Sequence, residues 1–254
     1  MKQKIFFYLA AMLILAIVSP ADRSDEKIQA LWQQVETAQN KGLPQTAIKH
    51  LDRILELTQS EGRHGEWLKA LSQKIMLEGV IQGNKPEEKV IRLKKEFENA
   101  DPKTRPLLKA ILAEWYWQYY NRNRWRFAGR TQTQEMDEKD FTTWDLKKIF
   151  SEIDGLYQSI LLDRELLSKI PVSDFKDFLE PGTMPEGVRP TLYDFIAHEA
   201  LVFYTSAEQA AASPEDAFEI DAASDAFGPL TEFLAYRPAT EDTGSSKYKA
   251  IRLY

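Results

Sequence analysis

Residues 113–131 read AEWYWQYYNRNRWRFAGRT. Seven rings, Trp115, Tyr116, Trp117, Tyr119, Tyr120, Trp125 and Phe127, are interleaved there with Arg122, Arg124, Arg126 and Arg130. Such a mixture suits two different jobs. Rings and guanidinium groups side by side hold single-stranded nucleic acid or sugar. The same rings also fill a crowded contact between helices. A helical projection at about 100° per residue separates the two. Drawn from Trp115, it puts Leu108, Leu112 and Tyr119 on one face, which Tyr116, Tyr120 and Phe127 then widen. The rings therefore prolong an apolar stripe that begins with leucines. A helix apolar around most of its circumference sits centrally, packed from two sides. Trp117 and Trp125 fall off the stripe. With Arg122, Arg124 and Arg126 they are the candidate interaction surface, where a second helix or a partner would dock. Asp145 or Glu152 are the acids expected to meet these arginines. An exposed aromatic–arginine surface for a protein or a glycan is the alternative.

The same periodicity extends outward. Leu107, Leu108, Ile111 and Leu112 precede the stretch, on a helix expected to open at Asp101-Pro102. Near the start, Ile28, Leu31, Trp32, Val35 and Ala38 recur at spacings of three and four. Lys41-Gly42 stops that helix and Leu43-Pro44 starts the next, because proline suits a first helical turn. Ala47, Ile48, Leu51, Ile54 and Leu55 line its face. The string KGLPQTAIKHLDRILEL, residues 41–57, is similar to the second helix of a tetratricopeptide unit, with small Ala47 admitting a close neighbour. The period of about 34 residues is missing, so the repeat is degenerate. Trp67, Leu68, Leu71, Ile75 and Met76 mark a third helix, ending between Gly79 and Gly83. Pro86 opens a fourth through Val90, Leu93 and Phe97.

Downstream, residues 128–142 are polar and read as a loop. Thr142 or Thr143 is the expected cap of a helix from Trp144, with Leu146, Ile149, Phe150, Ile153, Leu156, Tyr157 and Ile160 as its stripe. Residues 170–190 carry Pro171, Pro181, Gly182, Pro185, Gly187 and Pro190 and read as irregular. Thr191 opens a strong helix, TLYDFIAHEALVFYTS. Residues 207–223 read as loop, 227–236 as a short helix or turn, and the terminal KYKAIRLY as the first turns of a helix. No period-two strand emerges. The expected fold class is all-α: antiparallel helical hairpins in a degenerate tetratricopeptide-like array over residues 22–130, then a second helical segment over 131–254.

The first residues read as an export signal. MKQK is basic, Ile5 to Val18 is unbroken apolar sequence, and Ser19-Pro20-Ala21 supplies small residues for cleavage after Ala21. The run is shorter than the roughly 20 residues of a spanning helix. A cleaved signal peptide over residues 1–21 places the rest in the periplasm, the cell envelope or outside, with the membrane met only through this signal. The chain has no cysteine. That excludes disulfides, cysteine–metal sites, a cysteine nucleophile and a lipid-modified cysteine. A net charge of −6 argues against nucleic acid as partner, because neutralising phosphates supplies most of that affinity.

Catalytic chemistry is thin. His198-Glu199 begins an H-E-x-x-H pattern, but Val202 holds the place of the second histidine. His198 shares a stripe with Phe195, Leu201 and Val202 and is expected to be a packed, hydrogen-bonded helix histidine. The pairs Glu87-Glu88 and Glu215-Asp216 each follow a proline and read as solvated helix starts. There is no P-loop, G-x-G-x-x-G or G-x-S-x-G. No catalytic residue, metal site or cofactor is expected, and no enzyme.

Three strings, AEWYWQYYNRNRWRFAGRT (113–131), TWDLKKIF (143–150) and VRPTLYDFIAHEAL (188–201), occur in this order. Together, and with the leader and the KGLPQTAIKHLDRIL hairpin, they resemble the N-terminal region of large bacterial α2-macroglobulin-like proteins, chiefly of Bacteroidetes type. The resemblance implies an exported protease trap. A protease cuts a bait region, the protein changes conformation, and in many members a Cys–Gln thioester captures the attacker. The macroglobulin domains, bait and thioester would lie downstream of a region like this one. The chain is thus expected to be a fragment or a shortened gene. Its function would be a non-enzymatic scaffold or interaction module. Its partners would be the parent's downstream macroglobulin domains and, through the full-length parent, target proteases. The alternative is a stand-alone exported tetratricopeptide-like adaptor that binds peptides or proteins.

Overall fold

The computed structural model describes residues 20–83, 85–128, 137–179, 185, 187–212, 218–238 and 244–253. The leader's apolar run, most of the polar stretch 128–142 and the Glu215-Asp216 pair lie outside them. Within the described residues the fold is all-α. No β-strand forms, and one isolated bridge joins Pro171 to Thr191.

Helix α1 (Pro20–Asn40) buries Ile28, Leu31, Val35 and Ala38. The cleavage point expected after Ala21 falls inside its first turn. Helix α2 (Pro44–Ser60) buries Ala47, Leu51 and Ile54. Gly42 between them adopts φ 66°, a left-handed conformation that costs other residues roughly 1–2 kcal/mol. Helix α3 (His64–Ile81) packs on α2, and α4 (Pro86–Asn99) on α3. Two cores result. The first holds the α1 and α2 stripes with Ala70 of α3. The second begins on the other side of α3, at Leu68, Leu71 and Ile75, and continues through the rest of the fold.

That second core is built around α5 (Arg105–Arg122) and α7 (Leu146–Leu161), with the short α6 (Arg124–Ala128) between them. The expected stripe of α7 is realised: Ile149, Phe150, Ile153, Tyr157 and Ile160 are buried, with Leu146 and Leu156 half-buried. After α8 (Arg164–Leu167) and a 3-10 turn at Val172–Phe175 comes α9 (Leu192–Tyr204). The chain closes with α10 (Gln209–Ala212), α11 (Leu230–Ala235) and α12 (Ser246–Leu253). Thr191 caps α9 in a full capping box with Asp194.

Four boundaries differ from the sequence reading. Helix α5 opens at Arg105, not at Asp101-Pro102. The Asp101 carboxylate accepts from the Lys103 N–H at 2.7 Å and from the Thr104 hydroxyl at 2.9 Å, which holds a turn there, and Pro106 occupies the first helical turn. The cap of α7 is Asp145, which accepts from the Lys148 N–H at 2.7 Å. Thr142 and Thr143 belong instead to a 3-10 turn capped by Asp140. The aromatic helix breaks at Asn123, whose side-chain amide donates to the Tyr119 carbonyl at 2.8 Å. A single projection through Trp125 and Phe127 therefore does not hold. Within the expected 207–223 loop, Gln209–Ala212 forms a helical turn.

Helix α12 packs Ala250 into the core, and one carboxylate joins it to α7 and α9. Asp154 accepts from the Tyr204 hydroxyl and from the Lys249 ammonium, each at 2.8 Å. Burial first, and then the Asp154 charge, hold the Tyr204 hydroxyl protonated far above the usual tyrosine range. Asp154→Ala leaves both donors without this acceptor. It is expected to cost about 1.5–3 kcal/mol, the range for charged hydrogen bonds. Amide hydrogen exchange across α12 should accelerate more than across α1.

Candidate functional site

Helix α5 carries two stripes. Leu108, Leu112, Tyr116 and Tyr120 repeat every fourth residue and are buried. Leu107, Ala110, Ile111, Glu114, Trp115, Gln118, Tyr119 and Arg122 alternate spacings of three and one, and they line a surface groove. The buried stripe packs its rings on α7 and the turn before it. Tyr116 lies 5.1 Å from Phe141 and 5.5 Å from Trp144, centroid to centroid. Tyr120 meets Phe150 edge-on at 5.1 Å. The centre of the core stripe is thus Tyr116, and Trp115 is a half-buried wall of the groove. One residue of rotation, about 100°, separates the two roles.

The residues expected to form an interaction surface have four different surroundings. Trp117 is half-buried and meets Phe150 and Phe203 edge-on at 5.7 and 5.6 Å, so α7 and α9 dock on it. Arg124 pairs with Glu208 at 2.7 Å and lies over the Tyr120 ring. The acids anticipated for it are engaged elsewhere: Asp145 caps α7, and Glu152 accepts from Lys148 at 2.8 Å. Trp125 is 77% exposed. Arg122 and Arg126 reach the groove, Arg126 donating to the Tyr119 hydroxyl at 3.0 Å.

The groove has two chambers. A bay of about 770 Å³ lies between α4 and the second half of α5, where, among the described residues, Lys89, Arg122 and Arg126 stand with one acid, Glu87. A cleft of about 300 Å³ adjoins it, walled by Ile111, Phe178, Leu179 and Phe195, with Glu114 and Glu199 as its charges among the described residues. Met76, Trp115 and Gln118 line both chambers, so the two are neighbours along α5. Three helices supply pairs four residues apart: Ser72 and Met76, Glu114 and Gln118, Phe195 and Glu199. Gln118 donates to Glu114 at 2.8 Å.

Burial is the largest influence on Glu114. The Gln118 hydrogen bond opposes it and the Glu199 charge reinforces it, so the carboxyl stands above its ordinary value of 4.5. A raised carboxyl pKa costs the fold stability above that pKa, and the cost disappears as pH falls through it. Glu114→Gln is therefore expected to be more stable than the parent near neutral pH. The difference should shrink as the pH drops toward 4.5, read as the urea midpoint across the pH range.

This groove was missed by the sequence reading, which placed Met76 and Trp115 in a core. Met76 is 57% exposed. The second stripe of α5 was its signal. His198 is not the hydrogen-bonded histidine expected: among the described residues its Nδ1 has no hydrogen-bond partner and lies 3.8 Å from the Glu199 carboxylate. No group of three or more potential metal ligands is found among the described residues. No helix among them is long and apolar enough to cross a membrane. No family model, curated protein or solved structure matches the chain.

Proposed function

We propose that this chain is a non-enzymatic, exported interaction module, the leading helical segment of an α2-macroglobulin-like protease inhibitor. The observation that carries the reading is the groove along α5, whose apolar walls and separated charges offer pockets for the side chains of a bound polypeptide. The three strings that resemble the family fall on the elements that build it: the first runs through α5, the second leads into α7, and the third includes α9 with Phe195 and Glu199. The hairpins α1 to α4 stack beside this core as a degenerate repeat array would. Trapping would belong to the parent's downstream domains, and this module would hold a polypeptide segment of that parent.

The test is a protease assay with residues 22–254. No slowing of trypsin or subtilisin is expected at a large molar excess of this module. Inhibition by the module alone would put the trapping activity in the wrong part of the protein. A second reading, a stand-alone peptide-binding adaptor, is favoured by the same groove. The reading frame beyond Tyr254 separates the two: β-rich repeats support the module, and a stop codon supports the adaptor.

A further inference from the structure

We infer that the groove takes an extended polypeptide segment, placing a lysine or arginine side chain in the cleft at Glu114 and Glu199 and a carboxylate side chain at Arg122 and Arg126. This rests on the interaction-module reading and gives that module's ligand its chemistry.

The charges of the groove are segregated. In the cleft the two charged groups among the described residues are acids, and its walls are Ile111, Phe178, Leu179 and Phe195. Among the described residues, the hydrogen bond to the Glu114 side chain comes from neutral Gln118. Two carboxylates at an apolar cleft match a side chain with an apolar stem and a cationic head. The methylenes of lysine or arginine cover the rings while the head meets the acids. A cation there also offsets both the burial of the Glu114 carboxyl and the smaller repulsion from Glu199. Two acids fall short of a metal set, and no larger set exists among the described residues. In the bay the balance is reversed, with Lys89, Arg122 and Arg126 facing Glu87. Planar guanidinium forks bind carboxylates well.

The spacing sets the ligand's register. Glu114 and Arg122 are two turns apart on α5, about 12 Å at ~1.5 Å per residue. An extended chain covers that in three to four residues at ~3.3 Å each. The segment therefore carries its acid and its base three or four positions apart. The two or three residues between them pass Trp115 and Met76, an aromatic wall and an adaptable thioether that tolerate varied side chains.

The experiment uses the full chain and a fluorescein-labelled seven-residue peptide with one Glu and one Lys four positions apart, read by fluorescence anisotropy. Matched peptides replace Lys with norleucine or Glu with Gln. On the parent chain, norleucine is expected to weaken binding by about tenfold, or roughly 1.4 kcal/mol. The combined Glu114→Gln and Glu199→Gln variant should lose that preference, and its far-ultraviolet circular dichroism, matching that of the parent chain, should show that it is folded. Arg122→Gln should reduce only the preference for Glu over Gln. Equal binding of the lysine and norleucine peptides to the parent chain overturns the inference. So does a lysine preference that survives in the double variant, and so does no binding of either peptide. The protease assay judges the module reading separately, since its outcome does not depend on these affinities.

Discussion

Replacing Tyr116 with alanine is expected to cost about 3–5 kcal/mol, the range for truncating a large buried ring. Tyr116 is fully buried and touches Phe141 and Trp144, and it sits on the helix from which the second core is built. Its hydroxyl has no hydrogen-bond partner among the described residues. A buried polar group without a partner costs about 1–3 kcal/mol. Tyr116→Phe is therefore expected to match or exceed the parent chain in stability, because it keeps the ring and removes the unsatisfied group. Chemical denaturation of the two variants checks both halves. A Phe variant as unstable as the Ala variant would mean that the hydroxyl, and not the ring, holds the site.

The second large effect is expected at Phe175. This ring is fully buried in the otherwise irregular stretch after α8. It packs against α3 where that helix begins: its ring centroid is 6.5 Å from that of His64. A Cβ on Gly65 would lie 3.1 Å from the Phe175 Cα and 3.0 Å from the Asp174 carbonyl oxygen, so glycine there allows the close approach. The Phe175 carbonyl accepts from the N–H groups of Phe178 and Leu179, at 2.9 and 2.8 Å. Those two residues wall the cleft. Phe175→Ala is expected to cost about 3–5 kcal/mol, a fall in melting temperature on the order of 10 °C. It should also widen the cleft. Backbone amides of 175–179 should exchange faster than those of α2, which belongs to the other core. An unchanged melting temperature would show that the stretch is not anchored by this ring.

These two residues show what was legible in the sequence. The helices were, because an apolar residue every three or four positions has one solution, and proline or glycine marks their ends. The stripes of α1, α2 and α7 were read residue by residue. For α5 the expected face was right, with Leu108, Leu112, Tyr116 and Tyr120 all buried, but its centre is Tyr116 and not Trp115. Rings occur at five of the six positions 115–120, so hydrophobicity alone cannot choose between Trp115 and Tyr116. The choice is made by α7, α9 and the turn at Phe141, and their positions are set by tertiary packing. Phe175 was invisible for a related reason. A stretch rich in proline and glycine has no period, so a single buried ring leaves no pattern.

The groove was half legible. Its arginine end was marked out by composition, and Arg122 and Arg126 do lie there. Its acidic end was not. Glu114 and Glu199 are far apart in sequence, each on a helix with ordinary charged residues. Only the packing of α5 with its neighbours brings them to one cleft. Arg124 shows the converse: its partner Glu208 follows α9, beyond the helices from which an acid was expected.

Helix α5 has one face in the core and the other along the groove. The chain lacks cysteine, so single cysteines can report each face without interference. Ala113→Cys lies on the fully buried side, and Trp115→Cys and Gln118→Cys line the groove. Maleimide labelling of the native protein is expected to be fast at 115 and 118, and slower at 113 by about 100-fold or more, as for a site that opens only by unfolding. Equal protection at all three positions, or faster labelling at 113 than at 115, would contradict the two-faced helix and the groove with it.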